Sequence, residues 1–265
     1  MFFRDFGERK YHQLFHSAIE EMGPFEVARL LGGGSYGFAY LIRNRETDDC
    51  FVLKRLRKKH AKNEKVQRNF QKEIAILQMK LHPNIPDVIQ VGEAAGIPYY
   101  TMEYIDGKTF EQLIFKEDCS FTIEQALCIV GELLEITMAI HSQGIVHRDL
   151  RIPNILLRGK ELYVIDFGLA CDQDLHIDNK KVKNPKRAAS YISDLYNIGH
   201  FLLFLLYSSY TPVRKREASW QEELHLPVQL QNYIEKLLLL QPAFPSTAAA
   251  YNALSLLKNE YRISL

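Results

Sequence analysis

Residues 147–157 read HRDLRIPNILL, and nine residues further on the chain reads DFG at 166–168. Asp149 and Asn154 stand five residues apart, and Asp166 lies twelve beyond Asn154. Moving a phosphoryl group takes a carboxylate that orients an attacking hydroxyl and accepts its proton. It also takes hard oxygen ligands for a Mg2+ ion bridging the phosphates. Asp149 fits the first role, and Asn154 and Asp166 fit the second. Gly168 lets the backbone turn sharply away from such a metal. Arg151 lies between Asp149 and Asn154 and cannot deprotonate, so it places a permanent positive charge near a γ-phosphate. The combination at this spacing is too specific for a chance polar run ahead of a strand, and it reads as a phosphotransfer loop.

Upstream lie features that such a loop requires. Gly32, Gly34 and Gly37 form a G-x-G-x-x-G stretch, GGGSYG with Ser35 inside it, between two strand-like runs. No helix follows, which argues against a dinucleotide-binding βαβ unit. A tight hairpin could use the same glycines, but a flap whose N–H groups cover phosphates needs them in this place. Lys54 follows seventeen residues after Gly37, at the end of FVLK. A lysine on α- and β-phosphates needs a carboxylate to hold it, and Glu73 on the next helical stretch is its candidate partner.

The rest of the chain bounds these readings. It has 265 residues and a net charge of +1, so no global field favours nucleic acid or an acidic membrane surface. The longest apolar run in the C-terminal half, FLLFLLY at 201–207, is far short of the roughly 20 residues of a membrane-spanning helix. The start lacks a signal-peptide pattern, and Cys50, Cys119, Cys128 and Cys171 form no CxxC pair. These features predict a cytoplasmic protein. Periodicity predicts an amphipathic helix over 8–22, strands over 25–31, 38–44 and 50–56, a helix over 61–80, and strands over 88–94 and 98–104. Thr122 with Gln125 predicts a capping box for a long helix over 122–142. Two short β pieces flank the catalytic stretch, and from 194 the chain is mostly helical, broken at Pro212, Pro227, Pro242 and Pro245.

Over roughly residues 25–257 this sequence resembles the protein kinase family, in a compact form. The resemblance implies an α+β bilobal fold: a small antiparallel β-sheet lobe with one key helix (24–104) and a mainly helical lobe (105–265), after a helical extension (1–23). It implies ATP with Mg2+, or Mn2+ in its place, as cofactors, and a protein substrate. Asp149, Lys54, Glu73 and Arg151 take catalytic roles by the resemblance, and Asn154 and Asp166 hold metal. Met102 resembles the gatekeeper, Glu103 and Ile105 the hinge whose backbone binds adenine, and Val52 and Leu156 the apolar walls of the adenine pocket. Ala39 stands where the family has Val and Val52 where it has Ala, so lost and gained volume offset. Asp194, in Asp-Leu-Tyr-Asn-Ile-Gly199, resembles the family residue that holds the catalytic loop's backbone.

Two departures carry information. No A-P-E occurs in the 27 residues between Asp166 and Asp194, and Phe244 stands where the family's partner Arg would fall. Losing one member of a buried ion pair costs about 3–5 kcal/mol, whereas losing both can be near neutral. The only hydroxyl residues in that segment are Ser190, Tyr191 and Ser193. None lies mid-segment, where an activating phosphate would meet Arg148, so Arg148 is expected to pair with Asp172, Asp174 or Asp178. The basic run Lys180, Lys181, Lys183, Lys186 and Arg187 reads as a solvated loop or as an attractor of acidic substrates. The leading function is a serine/threonine-type protein kinase. The alternatives are a kinase-fold enzyme acting on a small-molecule hydroxyl and a non-catalytic pseudokinase. Nothing in the pattern fixes an oligomeric state.

Overall fold

Five strands whose residues alternate between two apolar surroundings build the first part of the chain. In the computed structural model, which describes residues 6–177, 182–211 and 218–263, these are β1 (Phe25–Gly33), β2 (Gly37–Asn44), β3 (Cys50–Leu56), β4 (Val88–Ala94) and β5 (Ile97–Glu103). They form one antiparallel sheet in the order β1-β2-β3-β5-β4. Asp178, Lys180, Lys181 and Pro212 lie outside the described residues.

The sheet is covered on both faces. Register sets Lys54 opposite Ala39 and Tyr100, and Val52 opposite Leu41 and Met102. These residues share one face, where helix α2 (Glu64–Gln78) packs Phe70 against Tyr100. Tyr40, Leu53, Arg55 and Tyr99 occupy the other face, against which α1 (Phe6–Met22) sets Phe15 and Ile19, both buried. Arg55 is wholly buried there. Its guanidinium donates to Tyr40 Oη and the Leu56 carbonyl, lies 3.6 Å from Glu8, and sits over the rings of Phe15 and Phe38. A buried cation survives only with such partners. The α1 helix is thus an integral layer of this unit.

The helix expected over 61–80 begins later. Residues 58–60 form a 3-10 turn, and Asn63 caps α2 by accepting from the Val66 N–H at 3.1 Å. It ends at Gln78, and Lys80 has a positive φ of 51°.

The second unit comprises Leu81–Ile85 and the chain from Gly107 onward, the first being the residues up to Lys80 with Pro86–Asp106. Its helices are α3 (Phe110–Lys116), α4 (Ile123–Ser142), α5 (Tyr191–Tyr207), α6 (Trp220–Glu223), α7 (Val228–Leu237) and α8 (Thr247–Ile263). The capping box at Thr122 and Gln125 forms as the sequence indicates. Two small sheets carry the polar loops: β6 (Lys108–Thr109) with β8 (Ile155–Arg158) and β9 (Glu161–Val164), and β7 (Ile145–Val146) with β10 (Cys171–Asp172). Close packing of α5 on α7 explains Gly199, because a Cβ there would lie 2.9 Å from Leu238 Cδ2 and 3.0 Å from Leu237 Cβ.

Phe244, which the resemblance sets where the family has an arginine, is buried and packs on Tyr233 with ring centroids 5.2 Å apart. Tyr191 Oη donates to the Phe244 carbonyl at 3.2 Å.

Candidate active site

Within the first unit, Lys54 Nζ lies 2.5 Å from Glu73 Oε1. Glu73 is 4% exposed, and Tyr100 Oη donates to the same oxygen at 2.9 Å. The β3–β5 register explains this, since Tyr100 is the cross-strand neighbour of Lys54. The sequence named the Lys54–Glu73 pair but missed Tyr100, whose only signal was its place in an aromatic strand.

The glycines of the flap differ in kind. A Cβ on Gly37 would lie 2.5 Å from the Arg55 carbonyl oxygen, so the approach of β2 to β3 demands glycine there. Gly32 and Gly34 face open space, and neither has a positive φ. Neither packing nor backbone conformation requires them. We therefore expect Gly34→Ala to leave the unfolding midpoint within about 0.5–1 kcal/mol of the parent yet to weaken ATP binding. Gly37→Ala should destabilise the fold itself. Chemical denaturation beside calorimetric ATP titration of both variants checks this, and a Gly34→Ala protein with unchanged affinity contradicts it.

Val52 and Met102 are buried neighbours, and Ala39 lies one diagonal step from Val52 on the same face. The Glu103 N–H donates to the Asp87 carbonyl at 3.0 Å. The Ile105 N–H donates to no group among the described residues, which leaves it available to an acceptor nitrogen.

The catalytic stretch belongs to the second unit. Arg151 grips Asp149 with both ends of its fork, Nε at 2.5 Å and a terminal nitrogen at 2.9 Å. Asn154 Nδ2 donates to Asp149 Oδ2 at 2.7 Å and to the Asp149 carbonyl at 3.0 Å. With both donors of its amide spent, Asn154 presents Oδ1, which accepts no hydrogen bond among the described residues, as a free hard ligand. Pairing of Ile155 with Val164 and the Ile165 N–H bond to the Asn154 carbonyl bring Asp166 beside it. Among the described residues no three of His, Cys, Asp or Glu cluster to hold a metal unaided. Asp166 and Arg148 both adopt left-handed backbone, φ 65° and 67°. Strain of this kind, about 1–3 kcal/mol each, persists only where surroundings impose it.

Asp194 is what imposes it at Arg148. Fully buried, it accepts from the N–H groups of His147 (2.8 Å) and Arg148 (2.6 Å), and it lies 2.8 Å from His141 Nε2. Burial alone would raise its pKa, but His141 and the backbone donor hold it below the usual carboxylate value. His147 is pushed below its ordinary value by burial and stays neutral. It accepts the Asp149 N–H at Nδ1 and turns Nε2 to the Ile165 carbonyl. One expectation is met at neither of the two positions that can be seen, Asp178 lying outside the described residues. Arg148 forms no ion pair with Asp172 or Asp174, and its Nε is buried without a partner among the described residues. Its backbone is tied to α5 by Asp194, and that tie holds the loop.

Residues 25–227 match the model of the protein kinase domain. The chain is 36% identical to the probable serine/threonine-protein kinase YbdM of Bacillus subtilis, over 85% of this chain and 86% of that one. It is 30% identical to a probable serine/threonine-protein kinase of Clostridium perfringens, covering 66% of this chain and 27% of that longer one. The kinase domain of Mycobacterium tuberculosis PknI has the same fold, with a TM-score of 0.64 and 21% identity over 88% of this chain and 95% of that one. Fold and site together define an ATP-dependent phosphotransferase. The chain belongs to the protein kinase family, in its serine/threonine class. No helix among the described residues is long and apolar enough to cross a membrane.

Proposed function

We propose that this chain transfers the γ-phosphoryl group of ATP to serine or threonine hydroxyls of protein substrates, through the residues named above, without prior phosphorylation of its own activation segment. Asp149 accepts the hydroxyl proton, and Asn154 keeps its carboxylate oriented. Arg151 guards the same carboxylate and supplies positive charge toward the γ-phosphate. Lys54, steadied by Glu73 and Tyr100, takes the α- and β-phosphates. In the first unit, backbone of Glu103 and Ile105 receives adenine beside Val52 and Met102, with Gly32, Gly34, Ser35, Gly37 and Ala39 for the phosphates; Leu156 is the second unit's apolar contribution by the family resemblance. Asn154 and Asp166 would hold Mg2+, which would supply neutralisation of the charge on the phosphates. The single observation that carries this reading is the doubly held Asp149 beside the unspent Oδ1 of Asn154. We also place the enzyme in the cytoplasm, where its four cysteines, all free thiols, would stay reduced.

Independence from segment phosphorylation is supported by the use made of each hydroxyl. Ser190 is buried and caps α5, Ser193 is buried and donates to the Lys186 carbonyl, and Tyr191 donates to Phe244. None can take a phosphate without losing a structural bond. Protein expressed with a phosphatase, shown by mass spectrometry to carry no phosphate, should transfer at the full initial rate. A lag abolished by preincubation with ATP would contradict the proposal.

A further inference from the structure

Arg57, the residue after β3, has none of the roles assigned above, yet three of its groups reach the glycine flap or the strand leaving it. Its backbone N–H donates to the Tyr36 carbonyl at 2.8 Å, and its Nε donates to the Gly34 carbonyl at 2.8 Å. The guanidinium carbon sits over the Phe38 ring, 4.3 Å from its centroid. Phe38 is buried and is itself held by α1 and β3, with the His12 ring centred 4.6 Å away and the Arg55 guanidinium 4.9 Å away. The base of Arg57 is also fixed. Its carbonyl accepts the His60 N–H at 2.9 Å, and the next N–H, that of Lys58, donates to the buried Glu8 at 3.1 Å.

These bonds decide which way a donor of the flap faces. In a planar trans peptide the C=O and the following N–H point in opposite directions. With the Gly34 carbonyl turned to Arg57, the Ser35 N–H points away from it and donates to no group among the described residues. An open backbone donor at a loop tip suits a phosphate oxygen. Gly32 and Gly34 face open space, and glycine loses more conformational freedom on ordering than any other residue. A tip built this way needs an outside hold to keep one conformation. A lysine or glutamine would end β3 equally well, but only a planar guanidinium can stack on Phe38 and bond the Gly34 carbonyl at once.

We infer that Arg57 is a positioning residue for ATP: it clamps the flap so that the Ser35 N–H is already aimed at a phosphate oxygen when nucleotide arrives. The inference rests on the phosphate-covering role proposed for the flap.

The test is calorimetric titration of the full chain with ATP and Mg2+, and with adenosine, for the parent, Arg57→Gln and Arg57→Lys. Amide hydrogen exchange over residues 33–37 is followed beside it without nucleotide. ATP should bind Arg57→Gln about tenfold more weakly, about 1.4 kcal/mol, while adenosine binds as in the parent and the flap exchanges faster. Arg57→Lys should lose as much, because it keeps the charge but not the planar fork. Parental ATP affinity in Arg57→Lys would assign the effect to charge alone and overturn the inference. Unchanged ATP affinity or unchanged flap exchange in Arg57→Gln would overturn it too, as would an equal loss for ATP and adenosine. Each of these, in a parent that binds ATP more tightly than adenosine, sinks the clamp alone. A parent that binds no ATP, or binds adenosine as tightly, sinks the phosphate reading of the flap and the clamp with it.

Discussion

Asp149→Asn should lower the turnover number for phosphoryl transfer about 10²–10⁴-fold, the range that general-base removal gives, while ATP affinity changes little. The substitution removes the only carboxylate that Arg151 and Asn154 jointly orient. It also puts an amide where those donors need acceptor oxygens, so the loop loses a charge-assisted fork as well as a base. The measurements are initial rates with γ-labelled ATP and a basic protein acceptor, beside calorimetric nucleotide binding. Transfer at the parental rate would assign the base elsewhere. A parallel collapse of ATP binding would mean that Asp149 acts through the nucleotide rather than on the hydroxyl.

Asp194→Ala should cost about 3–5 kcal/mol of unfolding free energy, the loss typical when one partner of a buried ionic network is removed. Three groups lose their acceptor at once: the His147 and Arg148 N–H groups and the His141 ring. His141 also reaches Thr247 Oγ1 at 2.7 Å, so the loss spreads from α4 to the start of α8. The left-handed backbone at Arg148 would no longer be imposed, and the catalytic loop would relax from it. Urea denaturation of parent and variant reads the stability. A cost under about 1 kcal/mol would show that the loop's shape is secured without Asp194.

The candidate catalytic residues Asp149, Asn154 and Asp166 could be picked out because the chemistry they are proposed for demands a residue type at a fixed interval along a short stretch. Strands were legible to within a residue or two where turn residues bound them, as Asp48 and Asp49 do before β3. The groups missed were those whose meaning comes from distant chain. Arg55 resembles a solvated strand end in sequence, yet it is buried because α1, more than thirty residues earlier, brings Glu8 and Phe15 over it. Tyr100 and His141 are likewise defined by partners far along the chain, Glu73 and Asp194. The late start of α2 was readable, since Asn63 is a good cap, and so was α3, where Thr109 and Gln112 repeat the capping box of α4.

The most direct test of the central claim is transfer of label from γ-labelled ATP, with and without Mg2+, followed by acid hydrolysis of the protein acceptor and identification of the labelled amino acid. Mg2+-dependent label on phosphoserine or phosphothreonine, lost in Asp166→Asn, is the predicted result. Label confined to phosphotyrosine, label retained without Mg2+, or no label on protein at all would contradict it.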